Sequence, residues 1–167
     1  MNFLRKLSAI FVLSAAFGAT APGQDTKQVA ATLVADTMAV EAGKPFTAGV
    51  RLVIAPTWYL YWQNAGDIGL PTGVEWELPA GFKAGPLQWP LPVTHEAAGD
   101  FLNYVYEREV LLMAEITPPA ALARPVTIKA KVKWQVCDPR QCVPGEANLA
   151  LALPAGAAAA AIAAAPP

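Results

Sequence analysis

The 167-residue chain sets 12 Lys and Arg against 13 Asp and Glu, a balance too even for a nucleic-acid binder, while 54% hydrophobic residues argue for a folded core. Two cysteines and one histidine fall short of a zinc framework, which needs four ligands in a structural site and three in a catalytic one.

Arg5 and Lys6 precede an uncharged apolar run over residues 7–17 and the small-residue stretch Gly18-Ala-Thr-Ala-Pro-Gly23. That order is a secretory signal peptide over 1–23, and its run is too short for the about 20 residues a membrane-spanning helix needs. Cleavage is expected between Gly18 and Gly23. Loss of Arg5 and Lys6 leaves 10 basic against 13 acidic residues, a net charge of −3.

Residues 24–154 are enough for one monomeric domain. Strands are predicted over 29–35, 46–54, 58–62, 74–78 and 110–116. The longest run, 126–136, alternates strictly: Val126, Ile128, Ala130, Val132, Trp134 and Val136 fall on one face, and Thr127, Lys129, Lys131, Lys133 and Gln135 on the other. Leu149, Leu151 and Leu153 alternate with alanines in the same way. Most of the 16 prolines and 12 glycines lie between these runs, and no long stretch keeps a 3.6-residue period. Short strands that must each bury one face predict an antiparallel β-sandwich. The tail, 155–167, is alanine- and proline-rich and reads as a linker or loose end.

Between the last two runs lies Trp134-Gln-Val-Cys-Asp-Pro-Arg-Gln-Cys-Val-Pro144, which holds both thiols, Cys137 and Cys142. An exported pair this close is expected to be oxidised. As a staple, a ring of about six residues stabilises by only about 2 kcal/mol on chain-entropy grounds. Arg140 favours a thiolate and Asp138 opposes it, so the residues alone leave redox exchange and a structural staple level. His95 reads as an ordinary loop or packing histidine. Two other classes stay open: a non-redox adaptor that binds a partner through its aromatic surface, and a copper-handling module using Cys137, Cys142 and Met113, since soft ligands suit Cu(I).

Further motifs carry a resemblance. Trp58-Tyr-Leu-Tyr-Trp-Gln-Asn-Ala-Gly-Asp-Ile-Gly-Leu-Pro71 sets four aromatics before a glycine-rich turn, followed by Val74-Glu-Trp-Glu-Leu-Pro79, Leu87-Gln-Trp-Pro-Leu-Pro92 and Asn103-Tyr-Val-Tyr106. With the cysteine segment, this ordered set resembles the N-terminal periplasmic domain of the thiol:disulfide interchange protein DsbD, in the branch found in the copper-sensitivity suppressor ScsB, over roughly residues 33–153. The resemblance implies an immunoglobulin-like sandwich in the periplasm, without a cofactor. Its cysteine pair would take electrons from a thioredoxin-like partner domain, fed by a transmembrane DsbD-type protein, and pass them to oxidised periplasmic proteins. Cys142 matches the cysteine that forms the mixed disulfide, and Cys137 the resolving partner. Tyr59 and Tyr61 match aromatics beside the redox site, and Phe101, in Gly99-Asp-Phe-Leu-Asn103, matches a cap over it. The cysteine spacing is one residue shorter than in the best-known member. Neither a membrane span nor a Cys-x-x-Cys follows Leu153, so the rest of the relay is expected on a separate protein or a longer product.

Overall fold

The computed structural model describes residues 24–156 except 26, 98 and 123–125. The expected leader, its cleavage point and the tail beyond Gly156 lie outside the described residues. Among the described residues eleven strands follow one another: β1 Gln24–Asp25, β2 Val29–Ala35, β3 Phe46–Ile54, β4 Tyr59–Gly66, β5 Gly73–Glu77, β6 Lys83–Ala84, β7 Val93–Ala97, β8 Phe101–Glu107, β9 Glu109–Thr117, β10 Val126–Cys137 and β11 Cys142–Leu153. They form two antiparallel sheets, in the orders β1-β2-β3-β9-β6 and β11-β10-β4-β8-β7, with β5 also on β10. The all-β, immunoglobulin-like sandwich expected from the sequence is the fold of the chain.

Alternation dictates the packing. Val126, Ile128, Ala130, Val132, Trp134 and Val136 are all buried against the facing sheet, where Val29, Val50, Leu52, Leu112 and Ile116 meet them. Burying side chains of this size contributes about 1.5–3 kcal/mol each. β10 pairs with β11 along its whole length, from Val126 opposite Leu153 to Cys137 opposite Cys142. Its other edge is shared: β5 occupies Lys129 to Lys133, and β4 meets only Val136 and Cys137. Gly145 lies opposite Trp134, where a Cβ would come within 2.4 Å of the indole Nε1, so any larger residue would have to displace the buried indole. Tyr106 donates its hydroxyl to the Pro90 carbonyl at 2.6 Å and so ties segment 87–92 to β8. Past the expected boundary at residue 154, the Gly156 N–H still donates to the Val40 carbonyl at 2.8 Å.

Two strands near the site, β7 and β8, were not among the predicted runs. Met113 lies on β9, in the sheet opposite the cysteines, paired with Gly49. The copper-handling set of Cys137, Cys142 and Met113 is therefore not assembled. Among the described residues no three His, Cys, Asp or Glu side chains gather as a metal site.

Candidate functional site

Cys137 immediately follows Val136 and so falls on the outer face of the six-stranded sheet, the face that carries Lys129, Lys131 and Lys133 further down β10. Even so, it is fully buried. Directly paired residues project to the same side of a sheet, and the row through Cys137 runs to Tyr59 on β4 and on to Glu107 on β8. One step along, Tyr61 pairs with Val105. These neighbours make a small second core on the outer face, composed of Tyr59, Tyr61, Ala65, Val105 and Cys137.

The Cys137–Cys142 disulfide closes the end of the β10–β11 hairpin, with its Cα atoms 4.0 Å apart. The turn between them is organised by Asp138. Its Oδ1 accepts the N–H groups of Arg140 at 2.8 Å and Gln141 at 2.9 Å, while its own N–H donates to the Gln141 carbonyl. Those backbone donors, the Arg140 N–H foremost, hold the Asp138 carboxyl below its ordinary range against a smaller opposing effect of burial. The guanidinium of Arg140 adds little, being 3.9 Å from Asp138 Oδ2 and 87% exposed.

The two sulfurs have opposite surroundings. Cys142 is exposed, whereas Cys137 is shut in with the Tyr61 hydroxyl 3.5 Å from its Sγ. Burial, with a smaller contribution from Tyr59, pushes the Tyr61 phenol up to about 12, so it keeps its proton and donates. Tyr61 is covered by the loop that follows β4: a Cβ on Gly69 would lie 2.3 Å from its ring carbons, and Gly69 has φ +108°. That loop is strapped to β8. Asp67 N–H donates to the Leu102 carbonyl at 3.0 Å, Leu102 N–H donates to Asp67 Oδ2 at 2.8 Å, and Ile68 N–H donates to Oδ1 of the fully buried Asn103 at 3.2 Å.

Over the exposed sulfur opens a cleft of about 350 Å³ whose walls include Tyr59, Tyr61, Ile68, His95 and the 138–141 turn. The structure thus brings Tyr59 and Tyr61 to the cysteines. Phe101 is not among the residues lining the cleft: it pairs with Ala97, which is, while its own ring lies by Gly99 and the residue is 42% exposed. His95, expected as an ordinary loop or packing histidine, is a packing one and lies on a strand, not in a loop. It sits in β7 with its ring 4.3 Å from that of Tyr59 and its Nδ1 3.7 Å from Glu107 Oε1. The only sequence signal for this was its place between two proline- and glycine-bounded turns, which does not reveal which strand it will face.

Residues 26–154 match the family described as the N-terminal part of the thiol:disulfide interchange protein DsbD. The chain belongs to that family. Among solved structures, it is similar to the N-terminal periplasmic domain of ScsB from Proteus mirabilis, at 20% identity and a TM-score of 0.60, covering 84% of this chain and 52% of that one. The chain thus spans about half the length of that structure. The reduced DsbD N-terminal domain of Neisseria meningitidis matches at 18% identity and a TM-score of 0.43, over 72% of this chain and 84% of that one. The GAE domain of yeast GGA1 matches at 11% identity and a TM-score of 0.42, over 78% and 96%. No curated protein sequence matches. Family membership and the Cys137–Cys142 disulfide together support a thiol–disulfide exchange domain.

Proposed function

We propose that this member of the DsbD N-terminal family works in the periplasm as an electron carrier, taking electrons from a thioredoxin-like domain served by a transmembrane DsbD-type protein and passing them to oxidised periplasmic proteins. The observation that carries this reading is the asymmetry of the disulfide, with one sulfur open to a cleft and the other enclosed beside a hydrogen-bond donor. A staple gains nothing from an exposed sulfur. An exchanging pair needs one atom to be attacked and another to leave.

In the oxidised domain a partner thiolate attacks Cys142 Sγ. The Cys137–Cys142 bond breaks and its electron pair leaves on Cys137 Sγ, where the Tyr61 hydroxyl stabilises the developing charge by hydrogen bonding. The partner's second thiolate then attacks its own sulfur in the mixed disulfide, which releases Cys142 and leaves the partner oxidised. Toward a substrate the steps reverse: Cys142 attacks the substrate disulfide and Cys137 resolves the mixed disulfide. Tyr59 and Tyr61 wall the site, and Phe101 at the rim limits access from the side of the β7–β8 turn.

Equilibrating the full chain with glutathione tests the reading. An exchanging pair gives a reduction potential above about −300 mV, while a value below it identifies a structural disulfide. Roles within the pair are read by trapping: Cys137→Ser accumulates a mixed disulfide with a thioredoxin-like partner whose attacking cysteine carries a thiol leaving group and whose resolving cysteine is replaced by serine, and Cys142→Ser accumulates little. Equal trapping by both variants would remove the assignment of roles.

A further inference from the structure

The exchange reading leaves the proton of the Cys142 thiol without a destination. Thiolate, not thiol, is the nucleophile, so a reduced carrier must move that proton whenever it attacks a substrate. The charged and titratable side chains around the cleft are Tyr59 and Tyr61 on β4, His95 and Glu96 on β7, and Asp138 and Arg140 on the turn, with Glu107 on β8 and Arg108 bordering the adjoining cavity. Arg140 stays charged at any working pH and cannot take a proton. Asp138 has Oδ1 occupied by two backbone N–H groups, and Tyr61 already carries its proton. Imidazole is the side chain in this set that ordinarily changes charge between about pH 5 and 8.

His95 is also the group with a built position. Its side chain is 24% exposed, its ring packs against that of Tyr59 at 4.3 Å with a 38° tilt, and its Nδ1 faces Glu107 Oε1 at 3.7 Å. A carboxylate at one ring nitrogen orients the ring, leaves the other nitrogen to accept, and steadies the imidazolium once formed.

We propose that His95, oriented by Glu107 and Tyr59, is the proton acceptor for the Cys142 thiol when the reduced domain attacks a substrate disulfide. The thiol proton passes through the solvent of the cleft that both side chains line to the imidazole, and the Cys142 thiolate attacks one substrate sulfur. The substrate S–S bond breaks, and its electron pair leaves on the second substrate sulfur, which takes the proton back from His95. Cys137 then loses its proton to solvent and attacks Cys142 Sγ, and the first substrate sulfur departs as a thiolate that solvent protonates. Two electrons and two protons have moved from the domain to the substrate.

This inference rests on the exchange reading, yet its test does not require the pair to cycle. In the full chain carrying Cys137→Ser, only Cys142 reacts, and its alkylation by iodoacetamide is followed from about pH 5 to about pH 9. Adding His95→Gln should lower the rate at pH 7 about tenfold and remove the inflection in the imidazole range. Adding Glu107→Gln should lower the rate at pH 7 by a smaller factor, because the ring loses the carboxylate that faces its Nδ1. Melting curves of His95→Gln and Glu107→Gln in the chain that keeps both cysteines, oxidised, should stay close to the parent. A rate–pH curve unchanged by His95→Gln overturns the proposal. If that variant does not fold, a rate–pH curve unchanged by Glu107→Gln overturns it instead. A reduction potential below about −300 mV would defeat the exchange reading separately.

Discussion

The inner and outer faces of the six-stranded sheet are made by the same strands and built on different rules. On the inner side of β10, six alternate residues are apolar and buried without interruption. On the outer side the same strand offers Thr127, three lysines and Gln135 to solvent or its margin, and then buries Cys137 at its last position. The outer core there is five residues, Tyr59, Tyr61, Ala65, Val105 and Cys137, closed by a loop lying on Tyr61. Apolar burial scales with area, so the inner face holds the fold and the outer cluster can be specialised at small cost to it. The lesson is a division of labour across one sheet: stability on one side, a shielded sulfur on the other.

The hardest test of that division is a cavity on the inner face. Ile128 is fully buried and far along β10 from the cysteines. Ile128→Ala should destabilise by about 2–5 kcal/mol, measured by urea unfolding, with the reduction potential of the pair unchanged. A potential that shifts with Ile128 would mean the two faces are coupled.

Next in size is the disulfide itself. Its ring spans a sequence separation of 5, so reduction should cost about 2 kcal/mol at most. The reduced domain should still unfold cooperatively in a denaturant titration followed by tryptophan fluorescence. Loss of cooperativity on reduction would show that the outer cluster carries stability that the comparison assigns to the inner face.

The same contrast explains what could be read from the sequence. β2 and β3 were legible to the residue, because both have apolar alternation bounded by turn residues, and so was the inner face of β10. β7 was not. Its Val93-Thr-His-Glu-Ala97 forms the sheet edge, half of it solvent-facing, with no apolar period to reveal it. β8 hid for another reason: Asn103 occupies a fully buried position where alternation calls for an apolar side chain, and it is there to hold the loop over Tyr61. At the site, the cysteine segment was visible directly, while Tyr59 and Tyr61 became visible through the family resemblance. The placement of His95 was invisible, since its neighbours Tyr59 and Glu107 come from other strands and only the register brings them together.

A smaller effect should appear in acid, confined to the outer side. Asp138 has its carboxyl lowered from the ordinary 3.8, first by the Arg140 N–H. A carboxyl depressed in the folded state stabilises at pH values above its unfolded pKa, and this contribution is lost as pH falls through the folded value. Asp138→Asn keeps an oxygen for the two N–H groups and removes the titration. The melting temperature of the parent should therefore fall more steeply below about pH 4 than that of Asp138→Asn. Parallel curves would show that the turn does not draw on the carboxylate charge.

The smallest expected change in stability belongs to an exposed aromatic beside the site. Phe101 is 42% exposed and packs by Gly99 at the β7–β8 turn, so Phe101→Ala removes little buried area and should leave the unfolding midpoint almost in place. Its expected effect is on access. Paired with Ala97, it projects on the same side of the sheet as the cleft over Cys142, the side on which the proposed cap would act. Alkylation of the reduced domain should therefore quicken in Phe101→Ala, at Cys142 far more than at Cys137, which remains enclosed by Tyr59 and Tyr61. Site-resolved mass spectrometry of the alkylated peptides separates the two sulfurs. Equal acceleration at both would mean that Phe101 supports the outer core and not the rim, and an unchanged rate at Cys142 would leave the shield to the two tyrosines alone.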